Sequence, residues 1–79
     1  MIEYAVLHFY SDGRVAVCYW GATAEDVLAE AARCKQALRV EAEQTGSAIL
    51  PGVDYRAVQT SRFGCFESLT SESLYPEPA

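Results

Sequence analysis

The stretch from Thr23 to Thr45 constrains the fold most, because it is the only long run with the periodicity of an amphipathic helix. Thr23 is suited to capping its N-terminus, and Gly46 is suited to the left-handed position that ends a helix. The sequence therefore predicts one long helix with an apolar stripe that must be buried against another element. The stripe consists of Ala24, Val27, Leu28, Ala31, Cys34 and Leu38.

Four shorter segments have the aromatic and β-branched composition of strands, at residues 1–10, 14–20, 53–60 and 62–67. Asp12-Gly13 lies between the first two and favours a tight hairpin. A hairpin loop of two or of three residues would give different registers, so the residues alone leave the pairing open. In a regular strand, one face would carry Val15, Val17 and Tyr19, and the other Ala16, Cys18 and Trp20.

The order of these elements predicts an α+β fold, written ββαβ(β), with the helix packed across one face of an antiparallel sheet. Seventy-nine residues are enough for one small domain with a modest core. We expect this domain to span residues 1–67. Residues 68–79 are rich in Ser, Glu and Pro and are predicted to form a tail that is frayed at its end.

Patterns that indicate catalysis or metal binding are absent from the sequence. Its one histidine, His8, is accompanied by cysteines only at positions 18, 34 and 65, without a CxxC pair. Cys18 and Cys34 are interpreted as small buried hydrophobic residues. His8 and Cys18 can face each other across the hairpin, but no third residue is available to orient them as a catalytic pair. The sequence therefore predicts a non-catalytic protein without a metal or other cofactor.

The charge balance is acidic, with eleven Asp and Glu against six Lys and Arg and a net charge of −5. Such a chain repels phosphate backbones, so direct binding of nucleic acid is not expected. Acidity suits either solubility or docking on a basic protein surface. No apolar run is long enough to cross a bilayer, and unpaired cysteines without a signal peptide favour the cytosol. We therefore predict a cytoplasmic protein that does not bind membranes.

Two groups of side chains are the candidate partner-binding residues. The first is a set of acidic residues on the predicted helix, namely Glu25, Asp26, Glu30, Glu41 and Glu43. This acidic set continues toward the C-terminus at Glu67, Glu72 and Glu77. The chain has nine aromatic residues, which is more than a core under one helix can bury. The second group is taken from these and consists of Tyr4, Tyr10 and Tyr19. Together they predict a protein-binding domain. The apolar hairpin also allows a homodimer, so monomer and homodimer both remain open.

The whole chain resembles the small acidic single-domain inhibitors made by phages, in particular the type I-C anti-CRISPR proteins. The similarity rests on the hairpin YAVLHFYSDGRVAVCYW, one helix rich in Ala and Glu, a returning strand pair and the lack of a catalytic motif. The resemblance implies an inhibitor of the crRNA-guided surveillance complex in the host cytosol. An acidic protein on the basic surface of that complex would compete with DNA phosphates. The helix acids would make the contacts, and the three tyrosines are the second choice.

Two other interpretations are open. The order of hairpin and helix, with Asp12-Gly13 at the turn, is similar to HicB-type antitoxin domains, which neutralise a small basic toxin. Such domains usually carry a segment with Pro and Gly before the helix, whereas this chain has only Trp20-Gly21-Ala22 there. The third interpretation is a phage structural module that self-associates through its sheet.

Overall fold

The structure, a computed structural model, describes residues 2–60 and 66–69. These residues form the strands β1 (Tyr4–Phe9), β2 (Val15–Gly21), β3 (Asp54–Thr60) and β4 (Phe66–Ser68), and the helix α1 (Ala24–Thr45). The strand order is β2-β1-β3-β4, and all neighbours are antiparallel. The predicted α+β fold, with one helix across an antiparallel sheet, is confirmed. Most of the predicted tail and the start of the predicted fourth strand lie outside the described residues.

The hairpin between β1 and β2 has the longer of the two loops that the sequence left open. The Tyr10 backbone N–H donates to the Arg14 carbonyl at 2.8 Å, which leaves three residues in the loop. Gly13 has a φ of 92°, a left-handed conformation that glycine adopts without steric cost. Asp12 accepts hydrogen bonds from the Arg14 backbone N–H at 3.0 Å and from Arg14 Nε at 2.7 Å. These contacts fix the loop and hence the register.

A β-bulge in β2 changes which residues face the helix. Val6 pairs with Tyr19, but the next residue of β1, Leu7, pairs with Val17. Cys18 is therefore an extra residue on β2, and the alternation of faces is reversed across it. Tyr19 and Val17 consequently lie on opposite faces of the sheet. The two regular sets predicted for β2 are both wrong for this reason.

Helix α1 has the predicted ends. The Asp26 backbone N–H donates to the Thr23 side-chain oxygen at 3.1 Å, which is an N-cap. At the other end Gly46 has a φ of 69°, and the Ser47 N–H donates to the Ala42 carbonyl at 3.0 Å. This arrangement is the glycine-terminated C-cap that the sequence predicted.

The core lies between α1 and one face of the sheet, here called the helix face. Its buried cluster consists of Val6, Val27, Ala31 and Ala57, with Tyr4, Tyr19, Tyr55 and Leu69 packed around it. Lys35, one helical turn after Ala31, is only 5 % exposed. The sequence did not indicate this burial, because lysine carries a charge. The hydrocarbon stem of a lysine can nevertheless continue an apolar row on a helix.

The other side of the sheet, here called the second face, has its own small cluster of Ala5, Leu7 and Val58, against which Phe9 packs. Beside it the Arg56 Nε lies 3.1 Å from a carboxylate oxygen of the buried Asp54. The Arg56 guanidinium also lies 5.6 Å from the centre of the Phe9 ring. Apolar side chains therefore occupy both faces of the sheet.

Candidate functional site

Four large apolar side chains are exposed on the second face or at its edges, and we call them the β2 patch. They are Val15 (50 % exposed), Val17 (36 %), Trp20 (56 %) and Phe66 (42 %). The three members on β2 share a face because they pair with alternate residues of β1, namely Phe9, Leu7 and Ala5. Exposed apolar groups of this kind are typical of protein contact surfaces.

Trp20 and Phe66 meet although they belong to the two edge strands of the sheet. Their ring centroids are 6.5 Å apart, and the rings are tilted by 42°. Ala5, the partner of Trp20, and Val58, the partner of Ala5, lie between the two edge strands at this level of the sheet. The two aromatic rings therefore form one continuous part of the β2 patch.

Among the described residues, one carboxylate lies near the aromatic end of the β2 patch. Glu3 is exposed and lines a shallow pocket together with Trp20. Glu67 follows Phe66 on β4 but pairs with Gln59, so it lies on the helix face and accepts a hydrogen bond from Gln59 Nε2 at 3.2 Å there. An apolar centre with an acidic edge fits a partner surface that is apolar with a basic edge.

The predicted acidic set divides into two groups in the structure. Glu25, Glu41 and Glu43 are exposed on α1. Asp26 is half-buried and accepts hydrogen bonds from the Tyr19 hydroxyl at 2.9 Å and from the Ala22 backbone N–H at 3.2 Å. The first group remains available to a partner, whereas Asp26 holds the helix N-terminus to the end of β2.

Glu30 belongs with Asp26 in the second group. It accepts from Arg33 Nε at 3.0 Å, and the Cys34 sulfur lies 3.7 Å from its other oxygen. The hydrogen bond from Arg33 lowers the pKa of Glu30. Its charge is therefore balanced within the protein, which reduces its value for attracting a basic partner.

The three predicted tyrosines are all half-buried. Tyr4 packs against the core under the helix. Tyr10 stacks on the His8 ring at 4.1 Å, with the Arg14 guanidinium 5.0 Å from its own ring centre. The hydroxyl of Tyr19 is committed to Asp26, which raises the pKa of Tyr19. The exposed aromatic side chains of the described residues are instead Trp20 and Phe66.

The structure does not bring His8 and Cys18 together as a catalytic pair. His8 pairs with Ala16 across the hairpin and lies between Tyr10 and Tyr55, whose ring centre is 4.4 Å away. The Cys18 sulfur instead lies 3.5 Å from the Val6 carbonyl oxygen. Cys18 is also exposed and Cys34 is half-buried, so the interpretation of both as buried residues is wrong.

Comparisons with known proteins assign no family to this chain. It matches no protein-family model, no characterised protein and no solved structure. Within residues 2–60 and 66–69, no three His, Cys, Asp or Glu side chains are grouped so as to hold a metal ion. Among those same residues, α1 lacks the apolar length needed to cross a bilayer.

Proposed function

We propose that this protein is a non-catalytic inhibitor that binds a protein partner with a basic surface, using the β2 patch as its main contact. The exposure of Trp20 next to Phe66 carries the proposal. Contiguous exposed apolar side chains mark protein interaction sites, and tryptophan is among the residues that contribute most at protein interfaces.

The charge of the chain indicates the character of the partner. The net charge is −5, and Glu25, Glu41 and Glu43 present exposed carboxylates on α1. A field of this sign accelerates encounter with a basic surface and is screened by salt. The β2 patch then supplies the desolvated contact that slows dissociation.

As the partner we propose the crRNA-guided surveillance complex of a type I-C CRISPR system, in the cytosol of a phage-infected cell. This choice follows the resemblance to anti-CRISPR proteins. The complex holds target DNA on basic surfaces, so an acidic protein seated there would exclude the DNA phosphates. The inhibitor itself needs neither nucleic acid nor a cofactor for this action.

A gel-shift assay with a purified type I-C surveillance complex and its target DNA tests the proposal. The wild-type protein, mixed with the complex beforehand, should abolish the DNA shift. Trp20→Ala should raise the concentration needed by about tenfold or more, which is the loss expected for a central interface residue. Val40→Ala is the matched control, because Val40 is exposed on α1 and outside the β2 patch.

The charge contribution is tested in the same assay with Glu25, Glu41 and Glu43 all changed to lysine. This variant should inhibit weakly at low salt and show less salt dependence than the wild type. Equal inhibition by Trp20→Ala and Val40→Ala would exclude the β2 patch. If the wild type changed neither DNA binding nor cleavage, the surveillance complex would be the wrong partner.

A second copy of the chain is the competing occupant of the β2 patch. Sedimentation analysis of the wild type and of Trp20→Ala distinguishes the two. If the wild type is a monomer, no second copy covers the β2 patch, and the patch is available to the partner. A wild-type dimer that Trp20→Ala converts to monomer would assign the patch to self-association instead.

A further inference from the structure

Two cysteines from different elements meet where β2 crosses α1. Cys18 is the bulged residue of β2, and Cys34 lies on the helix one turn after the buried Ala31. Each thiol shifts the pKa of the other, and the Glu30 carboxylate, 3.7 Å from the Cys34 sulfur, raises the pKa of both, so the three groups are neighbours. The Cys18 sulfur lies 3.5 Å from the carbonyl oxygen of Val6, a residue of the core cluster under α1. Val6 and Ala31 belong to the same buried cluster, so the Cys18 and Cys34 thiols lie beside the same part of the packing between the sheet and α1.

We propose that Cys18 and Cys34 form a disulfide when the protein meets a disulfide oxidant such as oxidised glutathione, and that this bond joins β2 to α1. In the reduced protein both side chains are free thiols. This site goes beyond the proposed binding function and does not depend on it.

The exposure of the two thiols assigns the order of the exchange reaction. Cys18 is exposed, so its thiolate attacks glutathione disulfide, forms a mixed disulfide and releases one glutathione thiolate. The half-buried Cys34 then attacks the Cys18 sulfur and releases the second glutathione thiolate. The two cysteine sulfurs lose two electrons to the oxidant, and the two thiol protons end on the two glutathione molecules.

The surroundings of the thiols determine how fast this reaction proceeds. Partial loss of contact with water raises the pKa of Cys18, and burial together with the Glu30 carboxylate raises the pKa of Cys34. Since the thiolate is the attacking form, both thiols are largely unreactive at neutral pH. We expect the rate of formation to rise about tenfold per pH unit while the pH stays below the thiol pKa.

The bond would stabilise the fold, because it closes a chain segment that contains the end of β2, the N-cap and the first turns of α1. A cross-link restricts the unfolded chain more than the native one, provided that it does not strain the native geometry. The native thiols are already neighbours beside the Glu30 carboxylate before the bond forms. The oxidised protein should therefore melt at a higher temperature than the reduced protein.

The test incubates the purified protein with oxidised glutathione at mildly alkaline pH, blocks the remaining thiols and maps the peptides without reduction. We expect a peptide joined through Cys18 and Cys34, a mass lower by two hydrogen atoms and a raised melting temperature, all reversed by dithiothreitol. Cys65→Ser is the matched control and should keep the cross-link. Cys18→Ser and Cys34→Ser should each lose it together with the change in melting temperature.

The peptide map decides the outcome even if a serine variant folds poorly, because the wild type and Cys65→Ser both retain the two cysteines. A cross-link that includes Cys65 would overturn the proposal. Stable glutathione adducts on Cys18 without a cross-link would overturn it as well, since they would show that Cys34 cannot reach the Cys18 sulfur.

Discussion

The Tyr19 hydroxyl lies 2.9 and 3.1 Å from the two carboxylate oxygens of Asp26. The C-terminal end of β2 is therefore held to the first turn of α1. Asp26 also accepts the Ala22 backbone N–H and donates its own N–H to Thr23. One carboxylate therefore organises the connection from β2 to α1. Its position near the helix N-terminus also suits the helix dipole.

The first prediction concerns the stability of the protein at alkaline pH. The hydrogen bond to Asp26 raises the pKa of Tyr19 above its ordinary value of about 10. The folded protein thus holds the phenolic proton more tightly than the unfolded chain does. The stabilisation is complete below about pH 10 and is lost as the pH rises through the folded-state pKa.

Melting temperatures measured between about pH 8 and pH 11 test this prediction. The wild type should lose stability more steeply with rising pH than Tyr19→Phe, which has no phenolic proton at this position. Tyr10→Phe leaves the contact between Tyr19 and Asp26 in place and should keep the wild-type slope. Parallel curves for the wild type and Tyr19→Phe would contradict the assigned role of the hydrogen bond.

The second prediction compares two valines on the same helix. Val27 is fully buried in the core cluster, whereas Val40 is 37 % exposed. Val27→Ala should lower the free energy of unfolding by about 2 to 3 kcal/mol, because it removes two methyl groups and leaves a cavity. Val40→Ala should change it by less than about 0.5 kcal/mol. Urea denaturation measures both, and similar losses would mean that α1 packs on a different face.

The third prediction follows from the close approach of Gly21 to the helix. A Cβ at this position would lie 2.6 Å from Val27 Cγ1 and 2.9 Å from Asp26 Oδ2. Gly21→Ala should therefore cost about 1 to 3 kcal/mol of stability through overpacking. The clash with Val27 should be relieved in the Gly21→Ala/Val27→Ala double variant. Its loss of stability should accordingly be smaller than the sum of the two single losses, and additive losses would contradict the contact.

The parts of the fold that were predicted correctly depend on local chemistry. The Thr23 side chain caps a helix that follows it directly, and Gly46 ends that helix by its own left-handed backbone. The helical period also predicted the apolar stripe, which is buried at Val27 and Ala31. Leu28, which was predicted to widen the stripe, is 39 % exposed, so that part of the prediction is wrong. The two caps and the helical period each depend on residues that are close together in the sequence. The sequence was therefore sufficient to predict both ends of α1.

The parts that were missed depend on contacts between distant residues. Nothing near Cys18 in the sequence indicates a bulge, yet the bulge decides that Tyr19 faces the helix and Val17 does not. The contact of the Arg56 guanidinium with the Phe9 ring likewise depends on the pairing of β1 with β3, which places Phe9 opposite Asp54. Register and burial of this kind are settled by the tertiary structure.

The candidate site was only partly predictable for the same reason. The exposed acids Glu25, Glu41 and Glu43 follow from the helical period alone. The commitment of Asp26 to Tyr19 requires knowledge of which face of β2 meets α1. The prominence of Trp20 also depends on the bulge, which places it on the second face beside Phe66. An excess of aromatic residues was the only signal for it in the sequence.

The fourth prediction concerns His8, the one histidine of the chain. Its ring is stacked between those of Tyr10 at 4.1 Å and Tyr55 at 4.4 Å. Burial lowers the pKa of His8 below its ordinary value of 6.5. The unfolded chain therefore binds a proton at this position more readily than the folded protein. The stability contributed by the neutral ring is present above about pH 6.5 and is lost as the pH falls through the folded-state pKa.

A pH titration of the His8 ring protons by NMR measures the folded-state pKa directly, and a single histidine makes the assignment unambiguous. Urea denaturation at about pH 7 and about pH 5.5 then measures the effect on stability. His8→Phe is the matched variant, because it keeps an aromatic ring between the tyrosines but cannot take up a proton. The wild type should lose more stability than His8→Phe between the two pH values. A His8 that titrates at or above 6.5 would show that stacking with the tyrosines favours the charged ring over the neutral one, opposite to the effect of burial.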